Sequence, residues 1–290
     1  MDPWLIVFGF GVGILVGTTG MGGGSLMTPL LILVFGIQPV VAVGSDLAYA
    51  AITKTAGGLL HFRRGTVQTN LAWWLAAGSC PGAVAGVILL DRLGLDDILI
   101  PLISSALLLT GVLVLYRALM RVTRERRTVE LETRHKVAAV GLGLSVGFLL
   151  GLTSAGSGTL IAVGLIVGFR LAPRNVVGTD VFHAAILLWV AAIAHLFSGN
   201  VDLVLTGTIL IGSLPGVWLG TQLSAKLPER GLRPALGIVL LGSGLALLTK
   251  AGVDVPVAVI VGAPLAAGIV AYLVLRSRPL PQPLVARTET

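Results

Sequence analysis

The sequence predicts an all-α polytopic membrane protein made of two inverted-topology repeats. Each repeat is a broken-helix hairpin plus three spans, and one extra span follows at the C-terminal end. Three observations predict this. Apolar runs of ~20 residues, the length that crosses a bilayer, recur along the chain. The chain matches itself when shifted by 134 positions, and loops made equivalent by that shift differ in charge.

The apolar runs dominate the composition. Of 290 residues, 55% are hydrophobic and 11% charged, with a mean hydropathy of +0.97; a soluble domain carries about a quarter charged residues. The runs are continuous rather than alternating, which excludes a barrel. The net charge of +7 is concentrated in a few short loops, the pattern of cytoplasmic Lys/Arg in an inner-membrane protein and not of a nucleic-acid surface. Met1-Asp2-Pro3-Trp4 shows neither a basic n-region nor an A-x-A-like site, so no cleavable signal peptide is expected. Cys80 is the only cysteine. It excludes internal disulfides, multi-cysteine metal sites and a multi-cysteine relay, and reads as a small buried hydrophobe.

The repeat is gapless. Gly13, Gly17, Gly22 and Gly24 meet Gly147, Gly151, Gly156 and Gly158; Pro39 meets Pro173; "GSD" (Gly44–Asp46) meets "GTD" (Gly178–Asp180). His61 meets His195, and "SCPGAVAG" (Ser79–Gly86) meets "SLPGVWLG" (Ser213–Gly220). Charges do not follow the match. Arg63 and Arg64 face Phe197 and Ser198, Gly36 and Val40 face Arg170 and Arg174, and Asp96 and Asp97 face Arg230 and Gly231. Under the positive-inside rule, equivalent loops then lie on opposite sides of the membrane, the signature of inverted repeats.

The first repeat occupies 1–116, with a hairpin over 4–35 and spans over 40–62, 70–90 and 97–116. The basic segment 117–136, including "TRERRT" (Thr123–Thr128), is a cytoplasmic linker to which lipid headgroups are attracted. The second repeat occupies 137–250, with a hairpin over 138–169 and spans over 173–197, 203–223 and 232–249. A span over 254–275 returns the tail, 276–290, to the cytoplasm, so the N-terminus is outside and the C-terminus inside. Each hairpin divides into two pieces, 4–19 with 25–35 and 138–153 with 159–169. The second piece, at 1.5 Å per residue, reaches roughly 16 Å, half a bilayer. The expectation is that both pieces enter and return; the alternative is that one spans while the other lies along the interface.

"GMGGGS" (Gly20–Ser25) and "SAGSGT" (Ser154–Thr159) are the equivalent breaks. Free amides at membrane depth need protein, water or a ligand. A short helix follows each break, and its N-terminus carries roughly +0.5 charge with unpaired N–H donors. Glycine lets a ligand approach that backbone. The residues expected to bind a small anion are therefore Gly22, Gly23, Gly24 and Ser25, with Gly156, Ser157, Gly158 and Thr159. Tight packing is the competing reading of glycine at four-residue spacing, and it accounts for "PGAVAG" (Pro81–Gly86) and its partner Pro215–Gly220.

Gly17 with Gly22–Ser25, Pro29–Leu31, "VGSDL" (Val43–Leu47) and "PGAVAG", all duplicated, resemble the TauE/SafE sulfite exporter family. The resemblance covers nearly the whole chain except the linker and last span. It implies transport of sulfite, sulfonates or related organosulfur anions, inward or outward. The second copy departs at Ser157 for Gly23 and Val163 for Pro29, so its two half-sites need not bind equally.

Other polar residues divide between roles. Asp46 and Asp180 begin the spans after the hairpins and carry a coupling proton or cap the hairpin. Ser45 and Thr179 donate to the anion or bond back to their own helices. Lys54 attracts the anion or snorkels, and its counterpart is Leu188. His61 and His195 sit at span ends, as interface packing or as a proton relay; His183, opposite Tyr49, is the deeper histidine for substrate or proton. Trp73, Trp74, Trp189 and Trp218 read as packing or belt residues.

No H-E-x-x-H, Walker A loop or nucleophile elbow is present. No catalytic residue, metal or cofactor is expected. The expected protein is a secondary transporter of a small sulfur-containing oxyanion in a prokaryotic inner membrane, working by alternating access, with proton coupling an option. A passive anion channel, uptake of thiosulfate or another organic anion, and a membrane enzyme are the competing classes.

Overall fold

A computed structural model describes residues 3–19, 24–94, 96–119, 131–224 and 229–277. Gly22 and Gly23, the centre of the basic linker and the end of the tail lie outside these residues, and of Ser25 only the backbone is described. The described residues form α1 (Pro3–Thr19), α2 (Gly24–Val34), α3 (Pro39–Arg63), α4 (Thr69–Leu93), α5 (Asp96–Leu119), α6 (Thr133–Thr153), α7 (Ser157–Val167), α8 (Pro173–Phe197), α9 (Leu203–Ser224), α10 (Glu229–Lys250) and α11 (Val257–Arg276). No strand occurs among them.

Local chemistry sets several of these ends. Pro39 and Pro173 open α3 and α8, where a missing N–H costs nothing, and the residue before each, Gln38 or Ala172, is extended. Gly94 closes α4 in the left-handed conformation, with φ of 55°. Helix α6 differs from expectation. It starts at Thr133 rather than 138 and takes in Arg134, His135 and Lys136 as a solvated first turn, where Arg134 pairs with Glu132 at 2.7 Å. At 21 residues it is long and apolar enough to cross a membrane by itself, whereas α7 has only 11.

Six described helices meet that length and apolarity: α4, most of α5, α6, α8, α9 and α11. Helix α3 is 25 residues long and does not. It carries Asp46 and Lys54, and its first half, up to Ala51, is covered by protein instead, with α2, α5, α8 and α9 packed on the helix.

The strongest packing joins the two repeats. Helix α4 lies on α6 and α1 on α9; α3 lies on α8 and α5 on α10. Because α4 is equivalent to α9 and α6 to α1, the first two pairings are one contact made twice. Glycine builds both seams. A Cβ on Gly78, Gly82 or Gly86 would run into the α6 backbone, and one on Gly143, Gly147 or Gly151 into α4. The same holds for Gly9, Gly13 and Gly17 against α9, and for Gly212, Gly216 and Gly220 against α1. Gly17, read above as part of the first break motif, thus packs on the Val217 carbonyl. Spacing of four puts each trio on one helix face, where backbones approach closely.

A larger side chain at the seam must separate the two helices. Gly147→Val is expected to lower thermal stability in detergent by about 1–3 kcal/mol or more. Gly207→Ala, where a Cβ meets open space, is expected to raise it by up to about 1 kcal/mol. Equal melting temperatures for the two variants would refute the seam.

Candidate functional site

The second break is fully described. Helix α6 stops at Thr153, Ser154 turns left-handed at φ 55°, Gly156 does so at φ 87°, and α7 resumes at Ser157. The Ser154 N–H closes on the Leu150 carbonyl at 2.8 Å, and the Leu160 N–H on Gly156 at 3.0 Å. The N–H groups at the start of α7 have no intrahelical acceptor by helix geometry, and they carry its positive end. Gly156 abuts Thr110 of α5. An added Cβ at Gly158 would lie 3.2 Å from Asp180 Oδ2 and 3.8 Å from Lys54 Nζ. The missing side chain of Gly158 therefore lets the α7 backbone lie close to an ammonium on α3 and a carboxylate on α8.

The two aspartates are held differently. Asp46 is 0% exposed. Its Oδ2 accepts from Thr28 Oγ1 of α2 at 2.5 Å and from Ser154 Oγ in the break at 2.9 Å, while Oδ1 is buried with no hydrogen-bond partner. Asp180 is half-buried, and its Oδ1 is likewise without a partner.

Ser45 and Thr179 each hold a helix of the other repeat. Both are 0% exposed. Ser45 Oγ accepts the Asp202 N–H at 3.0 Å just before α9, and Thr179 Oγ1 accepts the Gln68 N–H at 3.0 Å just before α4. These are equivalent bonds, each fixing the N-terminus of a helix in the other repeat. They also differ from the back-bonding expected within their own helices.

His183 is buried and shares a 2.7 Å hydrogen bond through Nε2 with Ser79 of α4. His195 is buried rather than interfacial, and its Nε2–H donates to the Gly151 carbonyl at 2.8 Å, tying α8 to α6. His61 is half-buried, with Nδ1 2.9 Å from Thr66 Oγ1. Trp73, Trp74, Trp189 and Trp218 are exposed. An apolar hollow of about 430 Å³ between Trp4, Phe8 and Phe35 presents no polar group to a solute.

Around the second break the structure thus assembles Gly156, Ser157, Gly158 and Thr159 with Lys54, Asp46 and Asp180. Ser45, Thr179, His61 and His195 are engaged in helix contacts. Thr28, Ser154 and Thr110 were not singled out by sequence reasoning. The available signal was a difference between repeats: Ser154 stands where the first copy has Gly20, and Thr28 where the second has Ala162.

A helical, multi-pass membrane protein with a polar core around a broken helix is the class that this fold defines. The sulfite exporter TauE/SafE profile matches residues 5–247, and the chain belongs to that family. It is similar to a Bacillus subtilis protein named probable membrane transporter protein YjnA, 38% identical over 86% of this chain and 100% of the relative. A second B. subtilis protein, probable membrane transporter protein YdhB, is 30% identical over 84% of this chain and 99% of the relative. A shorter match, 30% identical over 45% of this chain and 44% of the relative, is to an Anaeromyxobacter protein named undecaprenyl-diphosphatase. No solved structure matches at a significant level.

Thr28→Val leaves the buried Asp46 carboxylate with one hydroxyl donor. It is expected to cost about 1–3 kcal/mol of stability, against under about 0.5 kcal/mol for exposed Ser105→Ala. Paired thermal melts check it; equal shifts count against the Thr28–Asp46 bond.

Proposed function

We propose that the protein is a secondary transporter carrying a small sulfur-containing oxyanion, sulfite or an organosulfonate, across the cytoplasmic membrane by alternating access. One observation carries the reading: at Gly158 the positive end of α7 comes close to the Lys54 ammonium, with the Asp180 carboxylate on the same side. Backbone donors and a cation converging on one place suit a compact oxyanion, and family membership directs the choice toward sulfur oxyanions. Transport rather than enzymatic turnover is favoured by the relatives' names. The first break, with Gly22, Gly23, Gly24 and Ser25, supplies the second wall of the site in this reading. The membrane is the prokaryotic inner one, with the N-terminus outside and the basic linker in the cytoplasm.

The test is flux of radiolabelled sulfite and methanesulfonate into proteoliposomes. Wild-type protein is expected to carry at least one of them. Gly158→Val, which adds a side chain there, is expected to abolish flux while the purified protein melts within a few degrees of wild type. Undiminished flux in that variant overturns the site.

A further inference from the structure

The two equivalent aspartates have diverged, and each is missing what the other has. Asp46 is fully buried and gripped by the Thr28 and Ser154 hydroxyls. At Asp180 the matching positions are Ala162 and Gly20, which have no hydroxyl. Asp180 and Lys54 instead both approach the Cβ direction of Gly158, at 3.2 and 3.8 Å, without forming an ion pair of their own, and Lys54 stands where the other copy has Leu188. Ser154 sharpens the contrast. A non-glycine residue at φ 55° is disfavoured, and its counterpart is glycine. The hydroxyl bonded to Asp46 is the compensation for that backbone conformation, and it pins the break to α3.

Resting on the transport reading above, we propose that Asp180 and Lys54 form the coupling pair, in which the transported anion settles against Lys54 on the Asp180 side and Asp180 takes up one proton as it does so, while Asp46 with Thr28 and Ser154 is a structural latch. The charge balances. Before binding, the ammonium and carboxylate cancel. Afterwards the ammonium pairs with the anion, and the proton gained from water leaves Asp180 neutral, its partnerless Oδ1 being the open position for that proton. One negative and one positive charge enter together, so a membrane-embedded site never holds an uncompensated charge. The charges acting on Asp180 are Lys54 from α3 and Arg117 from α5, and α7 contains no charged residue. His183, a turn along α8, is engaged with Ser79.

Methanesulfonate is the probe, because it has no proton of its own to carry. In proteoliposomes with the outside one pH unit more acidic, coupling of one proton per anion predicts about tenfold accumulation. Asp180→Asn is expected to keep Lys54 permanently available, giving flux down the anion gradient with no accumulation; Asp180→Glu restores it in part. Thr28→Val and Ser154→Gly, which release the latch but not the pair, are expected to melt at a lower temperature and keep the tenfold ratio. Accumulation by Asp180→Asn, or its loss in both latch variants, overturns the inference. Wild-type flux without accumulation overturns it while sparing the transport reading. No flux of either sulfite or methanesulfonate overturns both.

Discussion

Helices α1 and α9, and α4 and α6, meet backbone to backbone because glycine recurs every fourth residue on both sides of each seam. Lipid tails are as apolar as leucine, so burying apolar side chains gives little drive for helix association in a bilayer. Close backbone contact and directional polar bonds take that role. Here the polar bonds fall beside the seams. The Ser45 bond to the start of α9 and the Thr179 bond to the start of α4 fix the outer helices on the central pair, α3 and α8. His195, reaching from α8 to the Gly151 carbonyl, ties the centre to the α6 end of one seam.

This scaffold lets the centre be polar. The first half of helix α3 is screened by its neighbours, which is why it can hold Asp46, with Lys54 about two turns further on, without the helix being apolar enough to face lipid. The broken helix behaves likewise: its interrupted backbone is tolerated because α3, α5 and α8 close around it. Near-symmetry in the frame coexists with asymmetry at the site. The seams and the Ser45 and Thr179 clamps come in matched pairs, whereas Thr28, Ser154 and Lys54 occur once each. The frame is thus close to symmetric, and the differences between the two halves gather at the polar centre.

Much of the frame was legible in the sequence. Long apolar runs and the proline–glycine punctuation set the order of helices, and the gapless match exposed the glycine trios. The second break was visible because "SAGSG" cannot continue a helix comfortably. Side-chain roles were less legible, for a physical reason. Ser45 and Thr179 bond to residues 157 and 111 positions away, and Asp46 reaches 108 positions to Ser154. Periodicity reports which face of a helix a residue occupies, but not which distant helix comes to meet it. Helix α6 started early because a basic first turn remains helical when solvated, so charge marked the membrane edge rather than the helix end.

The seams also bear on how such a chain is made. Helix α4 finds its glycine-matched neighbour only when α6 has been synthesised, and α1 must wait for α9, almost the whole chain later. Helix α1 is therefore without its glycine-matched partner until α9 has been made. During that interval its small-residue face stands open to lipid, or to whatever insertase chaperones it.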